Sequence, residues 1–299
     1  MCPLFSAADT LFRAIQLTDM TNRCETGGLT LPAQISREEF SWISRFLYDR
    51  TGIVLKDGKQ ALVMSRLDKR LRYYRLNSYA EYFQFVNVPD NSLERLMMID
   101  LLTTNETFFF REPKHFEFLR NHVLATHPSC RKVRVWSAAS SSGEEAYTLA
   151  MTLAERLPSN SWEIFGTDIS SRMLEIAQRG FYPLLAAEKI PAPLLKKYCL
   201  KGRDEYEGFL CIDASLRNRT TFRYANLIEP LPDFGMFDVI FLRNVMIYFD
   251  TQTRQKLLER IQQVLQPGGY FFISHSESLN GFNTELKMVS PSIYRRVVV

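Results

Sequence analysis

The sequence predicts an α/β protein with a mostly parallel sheet, preceded by a small helical domain. Along most of the C-terminal part, short apolar runs that end in polar residues alternate with amphipathic helical patterns, which is typical of an open parallel sheet. Ahead of this part the patterns are those of capped helices. A break at 189–221 combines turn residues with short strand patterns and predicts an inserted antiparallel β-subdomain. The predicted divisions are therefore a tail at 1–33, a helical domain at 34–103 and an α/β domain at 104–299.

The stretch from Val133 to Tyr147 lies at the centre of the predicted α/β domain. A short run of strand-forming residues leads into six small residues, Ala138 to Gly143, and Glu144 opens a helical pattern. Small residues let a ligand approach the backbone, and a helix start offers unpaired N–H groups. Glu144 and Glu145 disfavour a phosphate at that helix start. They suit a ligand with positive charge, or with hydroxyls and an amino group, so the sequence favours S-adenosylmethionine over ATP or NAD.

Two further strands are predicted to end in polar residues. Asp168 follows an apolar strand at about the spacing of the acid that binds ribose hydroxyls in dinucleotide folds. It is equally suited to capping the next helix, and the two roles are compatible. Phe237 to Leu242 is the most continuous apolar run, which predicts a central buried strand. Arg243, Asn244 and Tyr248 follow it, at the strand end where open α/β sheets bind ligands.

The segment that joins the two domains carries three consecutive phenylalanines, Phe108 to Phe110. Such a run is typical of core or interdomain packing. Here Asn105, Thr107 and Arg111 surround it with polar groups that a linker would not need. The segment is therefore predicted to form one wall of a cleft.

The helical domain contains a basic helix face. In the helix predicted from about Lys59 to Arg75, Arg66, Lys69 and Arg70 lie opposite the apolar positions. A solvated surface is one interpretation, and docking to an acidic partner is the other. The net charge of +4 favours an acidic partner but is too small to indicate nucleic acid by itself.

Composition indicates a globular chain that contains no membrane span. Hydrophobic residues make up 46%, and no window approaches the length of an apolar transmembrane helix. The five cysteines are scattered without a CxxC pair, which predicts free thiols in a reducing cytoplasm. The four histidines lack metal-ligand spacing as well, so no metal site is predicted.

Five motifs, in order, resemble those of the CheR family of chemotaxis receptor methyltransferases. They are TTNETFFFRE, VWSAASSSGEEAY, GTDIS, FLRNVMIYF and SHSES, and the resemblance extends from about Phe40 to the C-terminus. It implies a Rossmann-like, class I S-adenosylmethionine-dependent methyltransferase sheet. It also implies transfer of a methyl group to glutamate carboxylates of methyl-accepting chemotaxis receptors. Ala146 stands where the family pattern has proline, which is favoured at a helix start but not required there.

The resemblance implies roles for individual residues. Arg111 and Tyr248 match the family positions beside the transferable methyl group. The cofactor site would bind S-adenosylmethionine, and S-adenosylhomocysteine after transfer, without a metal. A glutamate is already ionised at neutral pH, its pKa being about 4.3, so no general base is needed. The matching cofactor positions are Asn105, Thr107, Arg111, Glu145, Asp168, Asn226, Leu227, Arg243 and Asn244.

The expected partner is the cytoplasmic part of a chemoreceptor, with the enzyme recruited to membrane receptor arrays without inserting into the bilayer. Arg66, Lys69 and Arg70 would then dock on acidic receptor helices. In some family members the antiparallel insert binds a C-terminal receptor peptide as an added strand. Gly208 to Ile212 would be the matching edge here. The alternative is that this insert only covers the sheet.

Two other functions remain open from sequence. A basic helical domain joined to a methyltransferase suits RNA as a substrate, although a dense basic and aromatic surface is missing. A non-catalytic signalling adaptor with the same fold is the second alternative. The presence of Asn105, Arg111, Asp168 and Tyr248 argues against it.

Overall fold

The computed structural model describes residues 34–126 and 131–297, so the predicted tail at 1–33 lies outside the described residues. From Ile35 onward the chain forms one compact unit. Within the described ranges, no helix combines the length and the apolar character needed to cross a bilayer.

The first part of this unit is helical. Its helices are α1 (Arg37–Thr51), α2 (Gln60–Tyr74), α3 (Tyr79–Asn87) and α4 (Ser92–Leu102), with a 3-10 turn at Pro89–Asn91 between the last two. A capping box begins α1, because the Ser36 hydroxyl accepts from the Glu39 N–H while the Glu39 carboxylate accepts from the Ser36 N–H, and this agrees with the predicted pattern of capped helices. Leu47 of α1 and Leu67 of α2 are fully buried between these helices.

The α/β part follows. Its helices are α5 (Pro113–Phe118, continued by a π-turn at Leu119–Val123 and by Leu124–Thr126), α6 (Glu144–Ala154), α7 (Ser171–Arg179), α8 (Ala192–Tyr198), α9 (Ala214–Arg217) and α10 (Thr251–Val264). Its strands are β1 (Val133–Ala138), β2 (Trp162–Asp168), β3 (Phe181–Pro183), β4 (Cys199–Lys201), β5 (Phe209–Ile212), β6 (Thr220–Tyr224), β7 (Phe237–Phe241), β8 (Leu265–Phe272), β9 (Leu286–Ser290) and β10 (Ile293–Arg296). Further 3-10 turns lie at Leu184–Lys189, Asp204–Tyr206 and Met246–Tyr248.

The main sheet of the described residues has seven strands in the order β6-β2-β1-β7-β8-β10-β9. The first five are parallel, and β10 is antiparallel to β8 and β9. The predicted central strand is confirmed, since every residue of β7 is buried. Between β1 and β7 the strand order reverses direction. The carboxyl ends of those two strands are therefore the expected ligand-binding edge.

Side chains alternate between the two faces of this sheet. Val135 of β1 packs in the core beneath α5, α6 and α7, while its neighbour Trp136 packs in the core beneath α10. Helices on both faces make a doubly wound α/β fold, as the sequence predicts.

The inserted sheet is antiparallel, in the order β3-β5-β4, and two sequence expectations about it are wrong. It begins at Phe181 rather than at about 189, while Thr220–Tyr224 returns to the main sheet near the predicted end of the insert. Phe181 pairs with Cys211, a long-range contact that no local pattern reveals. The expectation that Gly208 to Ile212 forms an edge is wrong because β5 is the central strand. The edges are β3 and β4.

The loop after α1 connects the helical part to the α/β part. The Val54 N–H donates to the Tyr248 carbonyl at 2.9 Å, and Ile53 forms a bridge with Phe249. Gly52 has a φ of +73°, and a Cβ added there would lie 2.6 Å from Ile228 Cγ2. The backbone at this position therefore requires glycine, and the loop that follows is held beside the 3-10 turn that comes after β7.

Candidate active site

A cavity of about 500 Å³ lies at the carboxyl ends of β1, β2 and β7. The turn after β1, the joining segment Thr103–Phe108 and the loop after α1 contribute its walls. The smaller cavity beside it, about 60 Å³, is lined by Asn226 and Leu227 and shares Asp168 and Tyr248 with the larger one. The predicted switch-point cleft is therefore present.

The turn after β1 needs its small residues. Ala139 and Ser141 adopt φ values of +64° and +48°, and Gly143 has a φ of +97°. A Cβ on Gly143 would lie 2.8 Å from Ala177 Cβ, so α6 and α7 approach closely because glycine is there. Ser140 Oγ is buried and has no hydrogen-bond partner among the described residues. An unpaired buried hydroxyl at a cavity wall is suited to a polar ligand.

Asp168 ends β2 and lines both cavities. Its Oδ2 accepts from the Ser141 N–H at 2.8 Å and its Oδ1 from the Ser170 N–H at 2.9 Å. Burial raises the pKa of Asp168, and these two backbone donors oppose that shift. The N-cap of α7 is Ser170, whose hydroxyl accepts from the Met173 N–H. Asp168 instead ties the β1 turn to the end of β2.

Glu145 is paired with Arg243 across the end of the sheet. Glu145 Oε2 lies 3.0 Å from Arg243 Nη1, and Glu145 Oε1 accepts from the Ser137 hydroxyl at 2.6 Å. Burial raises the pKa of Glu145, and the Arg243 charge opposes this. The Arg243 side chain is only 2% exposed, and Nη2 lies 3.1 Å from Glu112 Oε2 and donates to the Arg111 carbonyl. Arg243 is thus a buried cation that joins two carboxylates and one main-chain oxygen.

Arg111 and Tyr248 line the same cavity, so the structure brings the two predicted catalytic residues together. Arg111 Nη1 donates to the Glu106 carbonyl at 2.7 Å, and its guanidinium lies 5.6 Å from the Phe108 ring centroid. The residues on either side of Arg111, Phe110 and Glu112, have φ values of +57° and +58°.

The remaining predicted cofactor residues surround the two cavities. Asn105 and Thr107 come from the joining segment. The Asn226 amide donates to the Arg50 carbonyl at 2.8 Å, and the Asn244 amide donates to Ser274 Oγ at 2.8 Å. Both amides therefore hold neighbouring segments in place, and Leu227 packs at the same edge.

The structure does not bring the predicted docking residues to this cavity. Arg66 donates to the carbonyls of Leu102 and Thr103 at 2.8 and 2.9 Å, and these bonds cap the C-terminal end of α4. Arg70 forms an ion pair with Glu94, whose side chain is 4% exposed. Lys69 alone of the three is exposed. Arg66 and Arg70 are therefore engaged within the helical part, which a helical wheel cannot show because their partners lie on α4.

Sequence reasoning missed several residues of the site. Ile53, Val54, Lys56 and Lys59 of the helical part line the cavity, and Gly52 was the one available signal for a tight turn there. A cluster of Glu112, His115 and His275 was also missed, and its potential ligand atoms lie within 4.8 Å of one another. Glu112 of this cluster is already paired with the Arg243 guanidinium, which lies 3.1 Å from its carboxylate.

An open parallel sheet with small residues after β1 and an acid ending β2 at a switch-point cavity is a Rossmann-like arrangement, which class I methyltransferases share with dinucleotide-binding proteins. Comparison with known families agrees. The CheR methyltransferase SAM binding domain matches residues 105–295, and the CheR methyltransferase all-alpha domain matches residues 38–103. The chain belongs to the CheR methyltransferase family.

Relatives similar to this chain carry consistent names. "Chemotaxis protein methyltransferase 2" of Pseudomonas aeruginosa is 41% identical over 262 residues, which cover 87% of this chain and 93% of the relative. "Chemotaxis protein methyltransferase" of Salmonella typhimurium is 37% identical over 269 residues, covering 89% and 92%. These likenesses favour methyltransferase activity in chemotaxis over the RNA and adaptor alternatives.

Proposed function

We propose that the chain transfers a methyl group from S-adenosylmethionine to glutamate side chains of chemoreceptors, giving glutamate methyl esters for sensory adaptation. The observation that carries the proposal is the convergence of Arg111, Tyr248, Glu145 and Asp168 on one cavity at the switch point. Family membership and the names of the relatives support it.

The cavity chemistry suits this cofactor. Asp168 would accept from the ribose hydroxyls, and Glu145 would attract the ammonium of the amino acid end, with Asn105 and Thr107 on the facing wall. The backbones around Asn226, Leu227 and Asn244 would complete the site, since both asparagine amides are engaged within the protein. The sulfonium supplies an electrophilic methyl group.

The reaction needs positioning more than acid–base chemistry. The C–O bond forms as the methyl–sulfur bond breaks, and a carboxylate is a weak nucleophile that must lie in line with that bond. Arg111 would orient the substrate carboxylate, and Tyr248 would donate a hydrogen bond to it or pack against the methyl group. The family departure at Ala146 leaves α6 intact at its first turn.

Incubation with methyl-labelled S-adenosylmethionine and receptor-bearing membranes tests this function. Labelled receptor should release volatile methanol in mild alkali, because carboxyl methyl esters are base-labile. Arg111→Ala should lower the rate at saturating cofactor steeply while cofactor affinity changes little. Alkali-stable label would contradict the proposed ester product.

Receptor docking is proposed for the helical part at 34–103, in the cytoplasm at receptor arrays. Because Arg66 and Arg70 are engaged internally, the exposed basic residues at the cavity, Lys56 and Lys59, are better placed to meet acidic receptor helices. Complementary charge of this kind accelerates encounter and weakens with salt.

A receptor tail peptide is proposed to bind at the outer edge of β4. Leu200 is 58% exposed on this edge strand, whereas the other edge strand, β3, contains Pro183, which lacks an N–H donor. Capture at an edge raises the local concentration of substrate without altering the chemistry. Leu200→Glu should lower methylation of tailed receptors only, and equal loss on tailless receptors would contradict this site.

A further inference from the structure

Glu112 follows the proposed catalytic Arg111 directly, yet its side chain turns away into the protein. Its Oε1 accepts from Ser274 Oγ at 2.9 Å, and its Oε2 lies 3.1 Å from Arg243 Nη2. We propose that Glu112 is a positioning residue for the reaction, which fixes Arg111 in the cavity through Arg243. This inference rests on the function proposed above.

One guanidinium carries the connection between the two residues. Arg243 Nη2 donates to the Arg111 carbonyl and also pairs with the Glu112 carboxylate. The Arg243 side chain is buried beneath the cavity, with its guanidinium 5.6 Å from the Phe116 ring centroid. The buried guanidinium of Arg243 thus holds both the main chain of Arg111 and the side chain of Glu112.

The backbone around Arg111 requires such an anchor. Phe110 and Glu112 both have φ in the left-handed region, which L residues with a Cβ disfavour. Pro113 then begins α5 with its φ fixed by the ring. These turns direct Arg111 towards the cavity and Glu112 towards Arg243, and without the inward contact the segment would relax.

The buried His115 contacts Glu112, and it carries no charge that would compete with Arg243 for the Glu112 carboxylate. Its Nδ1 lies 3.3 Å from Glu112 Oε2, and its Nε2 is 2.7 Å from Ser292 Oγ. Burial, reinforced by repulsion from Arg243, lowers the pKa of His115 to about 3, so the imidazole is neutral at working pH. Burial would raise the pKa of Glu112, but Arg243 and the Ser274 hydroxyl more than offset it and hold that pKa below its ordinary value.

Loss of Glu112 should lower the turnover rate and leave the affinity for the cofactor nearly unchanged. Arg243 would keep its 3.0 Å contact with Glu145, so the carboxylate proposed to hold the cofactor ammonium stays in place. The Arg111 main chain would lose the constraint on its orientation. Misplacement of a group that aligns the reacting atoms acts on the rate at saturation.

The test compares Glu112→Ala and Glu112→Gln with the matched changes at Glu117, an exposed residue of α5, the helix that begins just after Glu112. Rates are measured at saturating S-adenosylmethionine, affinity for S-adenosylhomocysteine by calorimetry, and folding by thermal unfolding. Glu112→Ala should lower the rate by about 30-fold or more with affinity within about threefold of wild type. Glu112→Gln, which keeps the acceptor oxygen for Ser274, should recover part of that rate, and both Glu117 variants should match wild type.

The outcomes separate this inference from the proposed function. An inactive wild type overturns the proposed function. An active wild type with unchanged Glu112 variants overturns the inference alone. Rate and cofactor affinity that fall by the same factor in Glu112→Gln would also overturn it, because the residue would then act on binding. If Glu112→Ala does not fold, the Gln variant carries the same comparison.

Discussion

At the scale of single residues, the site contains buried carboxylates that are held by different kinds of partner. Asp168 is held by two backbone N–H groups, whereas Glu145 is held by the Arg243 guanidinium and the Ser137 hydroxyl. Backbone donors fix the position of Asp168 without neutralising its charge. Glu145 and Glu112 share the single positive charge of Arg243. The three side chains together therefore carry a net negative charge, which suits a cationic ligand.

Asp168→Ala should weaken binding of S-adenosylhomocysteine by more than about tenfold, or about 1.4 kcal/mol. The reason is the loss of the proposed acceptor for the ribose hydroxyls, together with a looser β1 turn at Ser141. Calorimetry measures the change, with exposed Asp90→Ala as the control. Unchanged affinity would remove Asp168 from the cofactor site.

Glu144 gives a prediction about pH. Burial raises its pKa to about 7, and the Ser142 hydroxyl opposes the shift. Because this pKa exceeds the ordinary value of the unfolded chain, the folded state binds more protons between about pH 4.5 and 7, and stability falls as pH rises through that window. Glu144→Gln should remove that decline and raise the free energy of unfolding at pH 8 by roughly 1–3 kcal/mol. Thermal unfolding at pH 5 and pH 8 measures it, and parallel pH profiles would contradict the assignment.

At the scale of elements, local patterns succeeded where the contacts are local. The helices of the first part agree with the predicted capped patterns, and α3 for example begins after Ser78, whose hydroxyl accepts from the Glu81 N–H, because a cap and helical periodicity lie within a few residues of the sequence. The pairing of β3 with β5 and the contacts of Arg66 and Arg70 with α4 join distant parts of the chain. No spacing in the sequence encodes them, so the start of the insert was misplaced and the internal partners of Arg66 and Arg70 were not predicted.

The charges on α2 and on the loop before it need separate tests. Arg70→Glu should lower the free energy of unfolding by about 3 kcal/mol, since it leaves Glu94 buried without its partner.

Lys56→Glu with Lys59→Glu should leave stability nearly unchanged and lower receptor methylation at low salt. Lys287→Glu on the exposed part of β9 is the matched control. Methylation that is insensitive to Lys56 and Lys59 at low ionic strength would rule out docking at the cavity.

At the scale of the whole molecule, the helical part supplies a wall of the active site. Tyr48 donates to Asp250 Oδ2 at 2.6 Å, and the Asn226 amide donates to the Arg50 carbonyl, so the last turn of α1 is fixed to the α/β part just before the loop that begins at Gly52. The strand-end residues Asp168 and Arg243 could be predicted from sequence because they follow recognisable strands. The wall from Ile53 to Lys56 could not, because it comes from an unrelated part of the chain.

Gly52→Ala tests this arrangement. The added Cβ would meet Ile228 Cγ2 at 2.6 Å and would have to adopt a φ of +73°. The loop should shift away from Tyr248, lowering the methylation rate by about tenfold and the free energy of unfolding by roughly 1–2 kcal/mol. Gly58→Ala is the control, since it also has positive φ but no atom within 4 Å of an added Cβ. Equal rates for the two variants would show that the position of the loop does not matter.

The backbone bond from Val54 to Tyr248 also bears on how this protein can diversify. Exchanging the helical part, for which receptor docking is proposed, would also replace a wall of the candidate active site. Such an exchange should therefore need compensating changes in the turn that follows β7. A hybrid of two relatives should work best when its junction keeps the loop after α1 together with the turn at Tyr248 that it contacts.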